Sequence, residues 1–250
     1  MKAKKRPKQG PLKVAALERA LSILKVFETD EIPVTLARLS EATGLYKSTI
    51  LRLLGSFEDF GYIRRTLDGA YAPGPAAFRL GIAYKNSFQL DAAIDSALRK
   101  LVAQGTESAS FHVLDADRRL CVQRVNSGHS TLDTINVGDV LPLDRGAAGK
   151  ILRSFTDEAD PSLDAVRRQG WAFSDGERDP SCAALAAPVF GMGHELIGAI
   201  SLSGPRERFT KQTIASMTKL LLDSAAELSR LAINDARAKT VSGPATAAVR

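Results

Sequence analysis

VTLARLSEATGLYKSTILRLLGSF, residues 34–57, reads as two helices around a tight turn. Thr35 can cap a helix carrying Leu36, Leu39 and Ala42; Gly44 breaks it, and a second helix starts at Tyr46. In that second helix Ile50, Leu53, Leu54 and Phe57 gather on one face at helical spacing, with Leu51 at the edge. Ser48, Thr49, Arg52 and Ser56 fall on the other face. A helix buried on one side and lined with short polar and basic side chains on the other suits a major groove, where phosphates and base edges need donors. Upstream, Leu17, Leu21, Leu24 and Phe27 are expected to complete a three-helix core. The pattern is a helix-turn-helix and predicts DNA binding.

Working outward, Gly61 introduces Tyr62-Ile63-Arg64-Arg65, a turn at Leu67-Asp68-Gly69, and Ala70-Tyr71-Ala72. Two short extended runs around Asp-Gly make a β-hairpin, so the motif becomes a winged helix-turn-helix. Its wing would lay Arg64 or Arg65 along phosphates or a minor groove; a hairpin that only covers the core is the plainer alternative. The candidate DNA-binding residues are therefore Lys47, Ser48, Thr49, Arg52, Ser56, Arg64 and Arg65.

Charge agrees with this reading. Residues 1–75 hold 13 Lys and Arg against 8 Asp and Glu, whereas the rest of the chain is nearly balanced at 21 against 20. Lys2, Lys4, Lys5, Arg6, Lys8 and Lys13 stand in a basic arm, residues 1–13, without one acidic residue. The asymmetry points to a polyanion at the N-terminal end. At 250 residues, 44% hydrophobic and 25% charged, the chain suits two modest soluble domains. No membrane span or signal-peptide core is legible, and Cys121 and Cys182 stand far apart; a reducing cytoplasm is the expected location.

Pro73 and Pro75 end the wing. Residues 76–88 and 90–103 read as helices, the first too short to fold alone and so expected as a linker helix buried against a partner. Strands are expected at 109–114, 120–125 and 131–137, with Asp117 and Arg118 in the first turn. A helix begins near Gly146, another spans 162–169, and strands return at 171–174, 183–190 and 196–202. Pro188 argues for an edge or a bulge. Thr210 caps a long helix with Ile214, Met217, Leu221, Ala225 and Leu228 on one face. Strands flanked by helices at both ends make an α+β sensor domain.

Ala16-Leu17-Glu18-Arg19-Ala20-Leu21, Ala42-Thr43-Gly44-Leu45-Tyr46-Lys47-Ser48-Thr49, Ala147-Ala148-Gly149-Lys150, Arg167-Arg168-Gln169-Gly170-Trp171, Ala186-Ala187-Pro188-Val189 and Ser201-Leu202-Ser203-Gly204-Pro205 follow one another in that order. Through them, from about residue 13 to 231, the chain resembles the IclR family of bacterial transcription regulators. The resemblance implies a winged helix-turn-helix at 14–74, a linker helix at 75–90 and a GAF-like mixed α/β effector-binding domain at 91–238; the small, polar composition of 239–250 predicts a disordered tail. The resemblance also implies homodimers or dimers of dimers (homotetramers) on near-palindromic double-stranded operators, controlled by small carboxylates or aromatic catabolites.

Gly146-Ala147-Ala148-Gly149 opens a helix with side chains too small to shield its free amides, which sit at the positive end of the helix dipole. By resemblance, Ala147 and Ala148 hold the effector carboxylate, and Ser201 and Ser203, two apart on a strand, line the cavity. Ala184 and Ser174 stand where glyoxylate-type members carry a cysteine and an aspartate. Their loss predicts a less polar, roomier cavity and a larger organic acid, aromatic among the options. The competing readings are a redox sensor through Cys182 and an enzyme. Scattered His112, His129 and His194, no zinc spacing, no third glycine after Gly191-Met192-Gly193 and no nucleophile elbow disfavour catalysis. No catalytic residue, metal or cofactor is expected.

Overall fold

The computed structural model describes residues 14–87, 90–131, 133–156 and 160–241, which fall into two compact units dividing between Ser87 and Phe88. The basic arm, 1–13, lies outside the described residues.

The first unit contains α1 (Ala15–Thr29), α2 (Leu36–Thr43), α3 (Lys47–Asp59), β1 (Ile63–Arg65), β2 (Tyr71–Pro73) and α4 (Pro75–Ser87). The Thr35 side chain accepts from the Arg38 amide at 3.2 Å, and Gly44 closes α2 at φ 68°. A left-handed residue there suits glycine, which has no Cβ to clash. Ile50 and Leu54 are buried against Ile23, Val26, Leu39 and Ile63, while Leu53 and Phe57 pack around them. Each such side chain taken from water contributes ~1.5–3 kcal/mol. The first helix departs from expectation. Leu17 and Leu21 are 56% and 50% exposed, and Ile23 and Val26 enter the core instead, with Leu24 and Phe27 beside them. Apolar residues surround α1, so periodicity could not choose the face that meets α3. The hairpin β1–β2 pairs Arg64 with Ala72. Phe78, Leu80 and Ile82 of α4 are exposed.

The second unit is a six-stranded antiparallel sheet of order β5-β4-β3-β8-β7-β6 with helices on both faces. Its strands are β3 (Ser108–Asp115), β4 (Arg118–Val125), β5 (Val140–Pro142), β6 (Ala172–Asp175), β7 (Cys182–Phe190) and β8 (Leu196–Pro205). Period-two alternation splits the sheet. Ala109, Phe111, Val113, Leu185, Ala187, Ile200 and Leu202 pack with α5 (Asp91–Ala103) and α8 (Lys211–Val241) in the main core. The opposite face meets α6 (Ala147–Ser154) through Ala172, Ala186 and Ala199. A 3-10 turn and α7 (Asp164–Gln169) follow α6. Pro188 lies beyond the last pair with β6 and one residue before a register shift, where a missing N–H costs no ladder bond.

Two expectations change. Residues 131–137 form no strand among the described residues (132 is outside them), and the ladder partner of β4 is Val140–Pro142. The alternation is short: Asp133 and Ile135 are buried between exposed Thr134 and Asn136, and Val137, in step with the buried pair, is 60% exposed. It serves to turn two side chains inward from a loop. At the C-terminus α8 runs to Val241, past the expected start of the tail at 239; residues 242–250 lie outside the described residues.

Candidate functional site

The exposed face of α3 carries Lys47, Ser48, Arg52 and Ser56, with Thr49 half-buried. Arg52 makes no hydrogen bond or ion pair with any described residue, so its guanidinium is free to reach a partner. In the hairpin, Arg64 is exposed and Arg65 lies along the turn, its Nε 3.5 Å from the Gly69 carbonyl and its guanidinium 6.0 Å from the Tyr71 ring centre. Arg38 is committed elsewhere, to Asp30 and Glu41, and tethers α2 to the end of α1. All seven candidate DNA-binding residues belong to α3 and the hairpin.

In the second unit a cavity of about 30 Å³ lies between α6 and the sheet. Ala147, Ala148, Ser174, Ala184, Ser201 and Ser203 all line it. Strand register explains the convergence: Ser174 lies opposite Ala184, Ala184 opposite Ser203, and Ser203 opposite Ser108. Directly opposed residues share a face, so one row of small and polar side chains crosses four strands. The next row runs Ala186, Ser201, Ser110. Gly149 lets α6 approach closely, because a Cβ there would stand 2.6 Å from the Leu143 carbonyl oxygen. The Gly146 amide donates to Glu177 at 3.2 Å, and Lys150 also pairs with Glu177. The amides of Ala147 and Ala148 have no acceptor among the described residues.

Nine further residues, absent from the sequence-based set, complete the walls, among them His112 of β3, Arg119 of β4, Asp133, and Arg178 and Asp179 in the loop before β7. Their arrival overturns the expected less polar, roomier cavity. A histidine and two arginines enter it from elements distant in the chain, and its volume is only about 30 Å³. His112 is 1% exposed, its Nε2 lies 3.0 Å from the Ser110 hydroxyl, and its Nδ1 has no partner among the described residues. Burial, then the Arg119, Arg124 and Arg178 charges, holds its pKa well below 6.5, so the ring is neutral. Arg119 is 3% exposed and donates from Nε to the Pro142 carbonyl at 3.1 Å; burial, with Arg178 adding repulsion, lowers it to about 10. Ser201 donates to the Leu185 carbonyl at 2.8 Å, whereas the buried Ser203 hydroxyl has no partner among the described residues. The period-two run Ser108, Ser110, His112 is a legible signal for one of these residues; nothing local singles out Arg119 or Arg178.

The redox alternative gains no support. Burial raises the Cys182 thiol and pushes Cys121 up to about 12, and a protonated thiol is a poor nucleophile. Among the described residues no group of His, Cys, Asp and Glu stands ready to hold a metal ion, and no helix is long and apolar enough to cross a membrane.

Comparison with known proteins converges on one family. The IclR helix-turn-helix domain model matches residues 16–67, and the bacterial transcriptional regulator IclR C-terminal model matches residues 160–230. The transcriptional repressor IclR of Escherichia coli (strain K12) is 27% identical over 243 residues, covering 86% of this chain and 89% of that protein. An IclR-type transcriptional regulator from Alicyclobacillus acidocaldarius superposes with a TM-score of 0.76 at 23% identity, covering 88% of this chain and 99% of the other. An IclR homolog from Microbacterium hydrocarbonoxydans, solved in complex with 4-hydroxybenzoate, reaches 0.73 at 18% identity, covering 90% and 100%. A winged helix-turn-helix with an unencumbered α3 face and a C-terminal α+β unit thus meets its counterparts in both sequence and fold: the chain belongs to the IclR family of DNA-binding bacterial transcription regulators.

Proposed function

We propose that this chain reads a near-palindromic operator as a homodimer or a dimer of dimers, and that a small organic acid in the α6 cavity controls that binding. In this reading α3 enters the major groove with Arg52 at base edges, and Arg64 and Arg65 hold the flanking backbone. A groove of about 700 Å³ beside Phe27, Tyr62, Leu80 and Tyr84, together with exposed Leu17, Leu21 and Phe78, supports burial of this apolar face by a second copy. Two copies would present two recognition helices to two half-sites.

The observation that carries the sensor reading is the pair of free amides of Ala147 and Ala148 opening on a buried cavity. Three buried polar atoms of lining residues lack partners among the described residues: Ser203 Oγ and His112 Nδ1, which can donate, and Asp133 Oδ2, which only accepts. Buried donors left unsatisfied cost ~1–3 kcal/mol each, a cost that a bound carboxylate removes. The effector then acts by binding the DNA-competent and DNA-free arrangements with different affinity. The test is a thermal-shift screen of organic acids on the full chain, with 4-hydroxybenzoate included because a solved relative is complexed with it. Hits are carried into operator gel shifts. A hit that stabilises the protein yet leaves operator binding unchanged would sink the control mechanism.

A further inference from the structure

We infer that the α6 cavity is specific for a short dicarboxylate, one carboxylate seated on the Ala147 and Ala148 amides with Ser203, the other on Arg119 and Arg178. The inference rests on the effector site proposed above and adds the class of its ligand. Two donor sets face the same space. The first is the helix start, with about half a positive charge and two amides that have no acceptor. The second is cationic. Neither arginine has a carboxylate within ion-pair distance among the described residues.

Arg119 is the more telling of the two. It is almost wholly buried, holds one hydrogen bond, to the Pro142 carbonyl, and its guanidinium lies against Gly146, where a Cβ would come within 3.1 Å of Nη2. Glycine at the α6 start, φ 84°, therefore leaves room for the cation beside the helix N-terminus. A buried guanidinium without a counter-charge is costly, and a neighbouring guanidinium increases that cost.

Asp133 and Asp179 also line the cavity, and each makes its side-chain hydrogen bonds through one oxygen, Oδ1. Asp133 forms a buried pair with Arg124, Asp179 accepts from the Ser181 amide and hydroxyl at 2.9 and 2.7 Å, and Glu177 is held by Lys150 and Gly146. Asp179 attracts Arg178 from beyond ion-pair distance, whereas no carboxylate offsets Arg119; a monocarboxylate on the amides would leave Arg119 uncompensated, and a second carboxylate satisfies both sets at once. With its proton on Nδ1, neutral His112 accepts from Ser110 and supplies another uncharged donor. The cavity, about 30 Å³, is small, so the bridge between the carboxylates is short.

The experiment titrates the full chain by calorimetry with matched pairs: malonate against propionate, succinate against butyrate, glutarate against pentanoate, with sulfate as an inorganic dianion. At least one dicarboxylate is expected to bind tenfold or more tighter than its monocarboxylate partner and than sulfate. Arg178→Gln, a half-exposed position that tolerates exchange, and Arg119→Met are each expected to remove that preference while monocarboxylate binding persists. Equal affinity within every pair, no binding by any dicarboxylate, or a preference that survives Arg178→Gln would each overturn the inference. Ala148→Trp separates the two layers of the argument. If another acid binds and this variant abolishes it, the site stands and only the dicarboxylate class fails. If dicarboxylates bind Ala148→Trp unchanged, the site itself is elsewhere.

Discussion

Arg52 and Leu54 stand two residues apart on the recognition helix and face opposite ways, so their substitutions should fail in different assays. Arg52 is exposed and unpaired among the described residues; Arg52→Ala should change stability by no more than about 0.5 kcal/mol. Removing a side chain that hydrogen-bonds a base edge in the major groove costs ~1–3 kcal/mol of binding. That is roughly 5- to 150-fold in Kd for the operator. Leu54 is 1% exposed in a small core, and Leu54→Ala should cost ~2–5 kcal/mol. In a unit of this size each kcal/mol moves the melting temperature by about 4–8 °C, so a drop of about 10 °C or more is expected. Fluorescence anisotropy at fixed salt, on a duplex selected from a random library and on a scrambled duplex, reads affinity; calorimetric melting reads stability. If Arg52→Ala binds the selected duplex as tightly as the unsubstituted chain, Arg52 lies outside the interface. If it weakens both duplexes equally, Arg52 touches phosphate and not base. A melting temperature unmoved by Leu54→Ala would refute the packing of α3.

Deleting residues 1–13 should weaken binding to every sequence and flatten the dependence of log Kd on log salt, because its six cations act through phosphates; an unchanged slope would leave the arm without a role. Ala148→Trp should abolish the effector response and spare operator binding, since an indole at a 1%-exposed position would fill the cavity and cover the free amides; overpacking of ~1–3 kcal/mol makes a folding check part of the assay. Neutral His112 should make the sensor unit acid-sensitive. Below about pH 6.5 the unfolded chain takes up a proton that the folded ring refuses, so stability is full above that pH and falls below it by up to ~1.4 kcal/mol per unit. Urea melts of His112→Asn across that range should show a shallower slope, and an identical slope would remove His112 as the cause.

The local chemistry of 250 residues is enough for the winged helix-turn-helix. A Thr35 cap, a left-handed Gly44, apolar spacing at Ile50, Leu53, Leu54 and Phe57, and an Asp-Gly turn each act within a few residues, and each is written where it acts. The same holds for the strand alternation and for the small residues that open α6. Periodicity states which residues share a face; it does not state what covers that face. For that reason spacing points to Leu17 and Leu21 where Ile23 and Val26 occupy the core, and to a strand where Asp133 and Ile135 line a cavity from a loop. The serines and helix-start amides of the cavity are legible in the sequence, but its charged lining belongs to the tertiary structure. His112, Arg119 and Arg178 lie on three separate segments, and only the sheet order β4-β3-β8-β7 with α6 across it brings them within reach of Ala147 and Ser203. Each is an ordinary residue in the sequence; the burial and mutual repulsion that distinguish them arise once register has fixed their neighbours.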